Sequence, residues 1–280
     1  MSKVLQAVRG TPAVDGAGVH LVRVLGHSNV IDFDPFLMLD SFDSTNPDDY
    51  TAGFPRHPHR GIETLTYLIH GQIDHRDSLG NKGSIRDGQA QWMTAGSGIE
   101  HEEMPQPVNR ILGVQLWINL PRKDKMTTPK YFDVSEKAIG QKEIEGGVLR
   151  VLAGSYEGVE GAKGHHLPIS FYDIDLKAGA SFTIDRKQGE NAFIFSILGQ
   201  VTVGGETYAE KTALLLSPGD RITVTATDGP ARFFYFQGPK LNEPIAWAGP
   251  VVMNTQAELQ QAAQDIRQGT FVKAAARTDD

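Results

Sequence analysis

Along most of the chain, short apolar runs alternate with clusters of Gly, Pro, Asn and Asp. The run Ile62-Glu63-Thr64-Leu65-Thr66-Tyr67-Leu68-Ile69 is rich in β-branched and aromatic residues and predicts a strand. Gly71-Gln72, Gly80-Asn81 and Asp87-Gly88 then mark tight connections, and residues 94–98 form a further turn. The period changes only near the end. Thr255-Gln256-Ala257-Glu258 fits a capping box, Leu259, Ala262, Ala263 and Ile266 recur at helical spacing, and Gly269 stops the run. The pattern predicts an all-β protein with one short amphipathic helix over about 255–268, docked on a barrel face.

The pattern also repeats. Ala192-Phe193-Ile194-Phe195-Ser196-Ile197-Leu198-Gly199-Gln200-Val201 resembles Thr64-Leu65-Thr66-Tyr67-Leu68-Ile69-His70-Gly71-Gln72-Ile73, and Leu216-Ser217-Pro218-Gly219-Asp220 echoes the turn at 94–98. Such self-similarity predicts two copies of one β-barrel domain. The polar stretch Pro121-Arg122-Lys123-Asp124-Lys125-Met126-Thr127-Thr128-Pro129-Lys130 suits the join between them.

Length and composition narrow the classes without choosing among them. A chain of 280 residues has enough material for two buried cores. A net charge of −7 argues against a nucleic-acid surface, and no apolar stretch is long enough to span a bilayer. The first ten residues lack a long apolar core and a cleavage site, so a signal peptide is not expected and the cytoplasm is. Cysteine is absent, which removes disulfides, thiolate nucleophiles and Cys-ligated metals. Any metal must be held by nitrogen and oxygen.

Two groups of residues supply such donors: His57-Pro58-His59 and His101-Glu102-Glu103. Strand side chains alternate between faces, so His57 and His59 share a face, as do His101 and Glu103. On adjacent strands they would set three imidazoles and one carboxylate on one wall, with Glu102 pointing away. Singly, each group has a plainer reading. A His-x-His is often a surface or hydrogen-bonded pair, and His101 with Glu103 could be an ion pair. Their common setting in one all-β unit predicts a divalent transition-metal site. The second copy lacks it. Setting Gly71 on Gly199 sends His57 to Asp185 and His59 to Lys187, and setting Gly96 on Gly219 sends His101 to Val224 and Glu103 to Ala226. His165-His166 lies in a Gly-containing loop and is expected to be solvated.

The run from His57 through Arg60-Gly61-Ile62-Glu63-Thr64, the stretch His75-Arg76-Asp77-Ser78-Leu79-Gly80-Asn81 and the stretch from Gln91-Trp92-Met93 to Glu103-Met104-Pro105 resemble the pirin family of bicupins. Asp34-Pro35-Phe36-Leu37-Met38-Leu39-Asp40, Gln115-Leu116-Trp117-Ile118-Asn119-Leu120-Pro121, Arg150-Val151-Leu152-Ala153-Gly154 and Gly249-Pro250-Val251-Val252-Met253-Asn254-Thr255 extend the resemblance over nearly the whole chain. It implies two stacked, jelly-roll-like cupin barrels. Residues 1–125 would form the metal-binding barrel, and residues 126–280 a barrel without ligands that carries the helix. It further implies one divalent metal, Fe(II) first, on His57, His59, His101 and Glu103; Zn, Ni, Cu, Co and Mn are the other ions such a site accepts. Glu102 departs from the family, where a small polar residue such as serine is common. Glu63 fits the spacing at which many cupins place a ligand. Within this family the second-motif glutamate has that role, which leaves Glu63 to orient a ligand or hold water.

By the same resemblance, the expected function is a quercetin 2,3-dioxygenase type of reaction. Four protein ligands on a six-coordinate ion leave two positions, which suit the 3-hydroxyl and 4-keto oxygens of a flavonol, or one substrate oxygen together with O2. Glu103, on loosening from the metal, would accept the hydroxyl proton, making it the catalytic residue. Expected partners are a flavonol-like chelator and O2, with no direct nucleic acid and no membrane, acting as a monomer. An alternative is a non-catalytic, metal- and redox-sensing interaction protein of the transcriptional co-regulator kind, with a protein partner. A third is another oxygenase or isomerase acting on an enediol or diketone. Phe33, Phe36, Met38, Trp92 and Met93 are expected in the barrel core rather than in a substrate slot, and Arg60 faces away from the histidines by parity.

Overall fold

The computed structural model describes residues 1–274. The chain forms two compact units, each assembled from separate stretches of sequence. One comprises Met1–Thr11, Val24–Pro35 and Glu136–Lys240; the other comprises Pro12–Arg23, Phe36–Ser135 and the described residues from Leu241.

Both units are built on one strand order, so the repeat legible in the sequence is a repeat of architecture. In the unit holding the histidines, a seven-stranded sheet runs Lys130–Val134, Ala90–Thr94, Ile62–His70, Ile111–Asn119, Phe36–Ser44, Val19–Leu25, Thr11–Asp15. A four-stranded sheet runs Phe54–His59, Ile99–Pro105, Ile73–Asp77, Lys82–Ile85. The other unit has a seven-stranded sheet ordered Val4–Arg9, Thr212–Leu216, Glu190–Leu198, Ala231–Pro239, Ser170–Leu176, Gly147–Ala153, Gly140–Ile144. Its four-stranded sheet runs Ser181–Asp185, Arg221–Thr225, Val201–Val203, Glu206–Tyr208. Each pair of sheets is a jelly-roll-like barrel, and the all-β fold with one helix is as expected.

Alternation sets what each barrel buries. In Ile99–Pro105 burial is strictly two-periodic: Ile99, His101, Glu103 and Pro105 are buried while Glu100, Glu102 and Met104 are half-exposed. Central strands such as Ile111–Asn119, covered on both faces, are buried throughout. The second barrel fills its interior with apolar side chains, among them Leu149, Ile174, Ile184, Ile194, Leu214, Val224 and Phe233.

The expected helix spans Gln256–Arg267, with Thr255 and Glu258 forming the capping box. Leu259 and Ala262 pack with Ala246, Val251, Met253 and Phe271 in a small cluster of their own. This C-terminal segment reaches the histidine strand directly, since Val251 bridges Arg60 and the Val252 N–H donates to the Arg60 carbonyl. Gly61 permits the approach. A Cβ there would lie 2.0 Å from the Val252 oxygen, and the φ of +80° disfavours any other residue.

The stretch 121–130 is more than a polar connection. Its Arg122–Asp124 segment is a 3-10 turn, and Lys125, 2% exposed, donates to the carbonyls of Gly61 and Val252 and to Asn119 Oδ1. Arg60 does turn away from the histidines, yet it is buried rather than solvated. It donates to Asp265 Oδ2 at 2.7 Å and to the carbonyls of Ser97 and Phe271, and lies 4.3 Å over the Phe271 ring. Phe33, Phe36, Met38, Trp92 and Met93 are all core, as expected.

Candidate metal centre

The two histidine-bearing strands are neighbours. Phe54–His59 pairs antiparallel with Ile99–Pro105, and the register sets His57 directly opposite His101. The register then shifts by one residue before Glu103, which meets Phe54. Such a bulge re-aims the side chains that follow it. Glu102 points away, as parity requires, and stands 4.0 Å from Arg76 across the outer face.

The three imidazoles converge. His57 Nε2 is 3.0 Å from His59 Nε2 and 3.0 Å from His101 Nε2. Among the described residues these three form the group able to hold a metal ion, with donor atoms all within 4.8 Å of one another. Neighbouring donors on a six-coordinate ion with metal–nitrogen bonds near 2.1 Å stand about 3.0 Å apart, so the spacing fits a divalent transition metal.

Backbone carbonyls fix two of the rings. His57 Nδ1 donates to the Pro55 carbonyl at 2.9 Å, and His59 Nδ1 donates to the Pro250 carbonyl at 3.1 Å. A carbonyl can only accept, so each proton sits on Nδ1 and each Nε2 lone pair faces the cluster. Burial and the neighbouring His57 push the His59 imidazole down to about 3, against the opposing pull of Pro250. Burial likewise holds His101 well below the usual histidine range, with His59 and His57 adding to it. Both rings are therefore neutral at physiological pH, with lone pairs available to a cation. Trp117 stands edge-on to His59 with centroids 4.9 Å apart, and Trp247 follows at 5.8 Å from Trp117.

Glu103 shares the inner face but stands outside the three-nitrogen cluster. Its Oε1 accepts from Gln91 Nε2 at 2.5 Å and Thr66 Oγ1 at 3.2 Å, and its Oε2 accepts from Gln115 Nε2 at 2.7 Å. Those three residues come from adjacent strands at one level, since Thr66 is the register partner of both Gln91 and Gln115. Tyr131 donates to Asp133 Oδ1 and lies 3.2 Å from Gln91 Oε1, backing the row. Glu63 takes a different face. It is fully buried, and its oxygens accept from Trp92 Nε1 and Thr94 Oγ1. The phase that aligns Glu63 with the histidines in the sequence is broken at the turn through Arg60 and Gly61, beyond which the chain belongs to the other sheet.

Sequence reasoning missed Thr66, Gln91 and Gln115, although a signal existed. Gln91 and Gln115 interrupt otherwise apolar strands, and a buried polar side chain requires a partner. It also missed the importance of His75-Arg76-Asp77, a second period-two pair on the strand beyond His101. His165 is exposed and His166 half-buried in a bend, apart from the metal-capable group.

In the second barrel the register replaces the alignment expected from the loops. Val224, the counterpart of His101, lies opposite Phe182, with Ile184 two positions on. The counterparts of His57 and His59 are thus Phe182 and Ile184 rather than Asp185 and Lys187. Asp185 is instead exposed and paired with Arg221. The strand-to-strand connection is longer in this copy, running from Asp185 to Glu190 against His59 to Ile62, and an alignment anchored on Gly71 and Gly199 slips across it.

Comparison with known proteins bears on the same residues. The pirin family model matches residues 18–118, and the model of the pirin C-terminal cupin domain matches 171–272. The chain belongs to the pirin family. Within it, a pirin-like protein of Caulobacter vibrioides is 41% identical over 272 residues, covering 96% of this chain and 98% of the other. A Pseudomonas aeruginosa protein named provisionally as a quercetin 2,3-dioxygenase is 41% identical over 279 residues, covering 96% and 97%. Among solved structures, a quercetin 2,3-dioxygenase of Acinetobacter baumannii superposes with a TM-score of 0.89 at 34% identity, covering 97% of this chain and 98% of that one. Among the described residues no helix is long and apolar enough to cross a membrane.

Proposed function

We propose that this pirin-family chain is a metal-dependent dioxygenase of the quercetin 2,3-dioxygenase type, opening a flavonol-like substrate with O2. The observation that carries the reading is the convergence of three imidazoles on the inner wall of the first barrel, with His57 Nε2 3.0 Å from the Nε2 atoms of both His59 and His101. The names of its homologues in Pseudomonas and Acinetobacter support it.

In this reading His57, His59 and His101 hold the metal, Fe(II) first, and Glu103 on the same inner face completes the set. The bound ion supplies a Lewis acid that favours the ionised 3-hydroxyl of a flavonol and a point where that substrate and O2 meet. The protein residues do the rest. Pro55 and Pro250 hold the His57 and His59 rings in one tautomer. Glu103 takes the hydroxyl proton. Thr66, Gln91 and Gln115 keep its oxygens oriented while that proton arrives. Trp117 and Trp247 form an aromatic edge beside His59, against which a planar ring can pack.

The test is carbon monoxide release from quercetin by metal-loaded protein. Release that disappears in a His57→Ala/His101→Ala double variant is the expected result. Stoichiometric metal binding with no release above that control would instead favour a metal-gated interaction protein.

A further inference from the structure

A fourth imidazole lies against the cluster. His75 is on the strand Ile73–Asp77, whose register sets Asp77 opposite His101 and His75 opposite Glu103. It is 1% exposed, its ring is stacked on Tyr131 with centroids 4.0 Å apart, and it stands 5.3 Å from the His101 ring.

Two of the three metal-facing rings have an acceptor for Nδ1, namely the carbonyls of Pro55 and Pro250. His101 does not: its Nδ1 is buried and without a hydrogen-bond partner among the described residues. If Nε2 of His101 gives its lone pair to a metal, its proton sits on this unpartnered Nδ1, which becomes an unmet donor. His75 presents the complement. Its Nε2 lies 3.3 Å from Asp77 Oδ2, and Asp77 also accepts from the N–H groups of Leu79 and Asn81 and from Asn81 Nδ2. A carboxylate so placed is an acceptor, so the shared proton belongs to His75 Nε2 and the His75 Nδ1 carries a lone pair. That nitrogen, too, is buried and unpartnered. Neighbouring rings thus carry one orphan donor and one orphan acceptor, each destabilising if left unmet.

The geometry points to His75 as a positioning residue of the metal centre: its Nδ1 accepts from His101 Nδ1–H through one buried water, and so holds His101 with Nε2 toward the metal. Asp77 sets the His75 tautomer, giving a chain from Asp77 through His75 to His101. The inference rests on metal being held at the three-histidine cluster, and is independent of which reaction follows.

The test is Co(II) titration of the full-length apoprotein, read by calorimetry and by the visible absorption of the bound ion. His75→Phe keeps an aromatic ring against Tyr131 and removes the acceptor. It should bind Co(II) about 10–100-fold more weakly, with a shifted absorption envelope. His75→Gln retains an acceptor and should recover most of that affinity. Wild-type affinity and spectrum in His75→Phe would overturn the proposal, as would equal weakening in both variants, which would indicate packing alone. Should His75→Phe fail to fold, histidine-labelled wild-type protein loaded with Zn(II) gives the tautomers directly by nitrogen NMR. Nε2–H on His75 with a hydrogen-bonded Nδ1–H on His101 is expected, and Nδ1–H on His75 would overturn it. A wild-type chain that takes up no Co(II) would remove the metal reading as well, a failure distinct from those of the variants.

Discussion

The two barrels share a strand order and differ in the inward side chains of two neighbouring strands of the four-stranded sheet. Where the first places His57, His59 and His101, the second places Phe182, Ile184 and Val224 in the corresponding register. The strand order is therefore common to both barrels, and the candidate metal site is written in inward side chains of the first, the histidines and Glu103 on its four-stranded sheet and the row that holds Glu103 on its seven-stranded one. The difference has an energetic side. Burial, with the neighbouring imidazoles adding to it, drives His59 to about 3 and lowers His101, so the first barrel holds two desolvated imidazoles against the half-buried His57. The second buries hydrocarbon at those places, with Ile184 and Val224 fully enclosed. One barrel gathers donor atoms at these positions and the other packs hydrocarbon there.

The largest test of that contrast exchanges the consequences of mutation. His57→Ala/His101→Ala should abolish metal uptake, and with it the rise in melting temperature on metal addition, which for wild type at 100-fold excess over Kd corresponds to about 2.7 kcal/mol. Ile184→Ala should do the reverse. It leaves metal uptake intact and costs about 2–5 kcal/mol in urea unfolding through lost burial and a cavity. If Ile184→Ala also empties the metal site, the separation of roles between the barrels is wrong.

A second contrast lies in the arginines that follow the corresponding strands. Arg186 meets neutral oxygens, Ser2 Oγ and the Ser217 carbonyl, whereas Arg60 meets the carboxylate of Asp265 with both side chains at least 95% buried. Breaking the Arg60 pair by Asp265→Ala should cost about 3–5 kcal/mol, since it leaves a buried cation unpaired. The pair also predicts an acid signature. Hydrogen bonding from Arg60 against the opposing effect of burial, with further help from Lys273 and Gln261, holds the Asp265 carboxyl down to about 2, below the usual aspartate range. A depressed carboxylate contributes stability above its unfolded value and loses it as pH falls through the folded one. Wild type should therefore lose this contribution between about pH 4 and pH 2, and Asp265→Ala should show a flatter acid limb there. Parallel acid limbs in the two proteins would refute the assignment.

How far the sequence carried this picture depends on the range of each interaction. Strand parity alone predicted that His57, His59 and His101 share a wall and that Glu102 does not, because the period of two is local and rigid. The helix was legible for a similar reason, its cap and stop lying within one turn of its ends. Parity failed for Glu63 because the chain changes sheet at Gly61, and no local pattern encodes that change. The Gly71-to-Gly199 alignment failed in the same way, at a connection whose length differs between the copies. Least visible were contacts spanning the sequence, such as Pro250 on His59 or Asp265 on Arg60, separated by 191 and 205 residues. Composition and spacing carry no trace of them; only the closed fold does.

The finest distinction between the barrels is the polar row Gln91, Thr66, Gln115 that holds Glu103. At the level where Thr66 faces Gln115, the second barrel sets Ile194 opposite Tyr235, and Ile194 faces Leu214 on its other side. A row of two amides and a hydroxyl in the first barrel is thus matched by mainly apolar contacts in the second, so at this level only the first holds a carboxylate. Gln115→Leu removes the donor to Glu103 Oε2 while preserving volume and the three histidines. It should therefore leave the metal content unchanged and lower the rate of quercetin turnover about 10-fold, the effect of roughly one charge-assisted hydrogen bond. The split between content and rate is what matters. Loss of metal in Gln115→Leu would mean that Glu103 orientation is part of metal retention, and unchanged turnover would mean that the row merely satisfies a buried carboxylate.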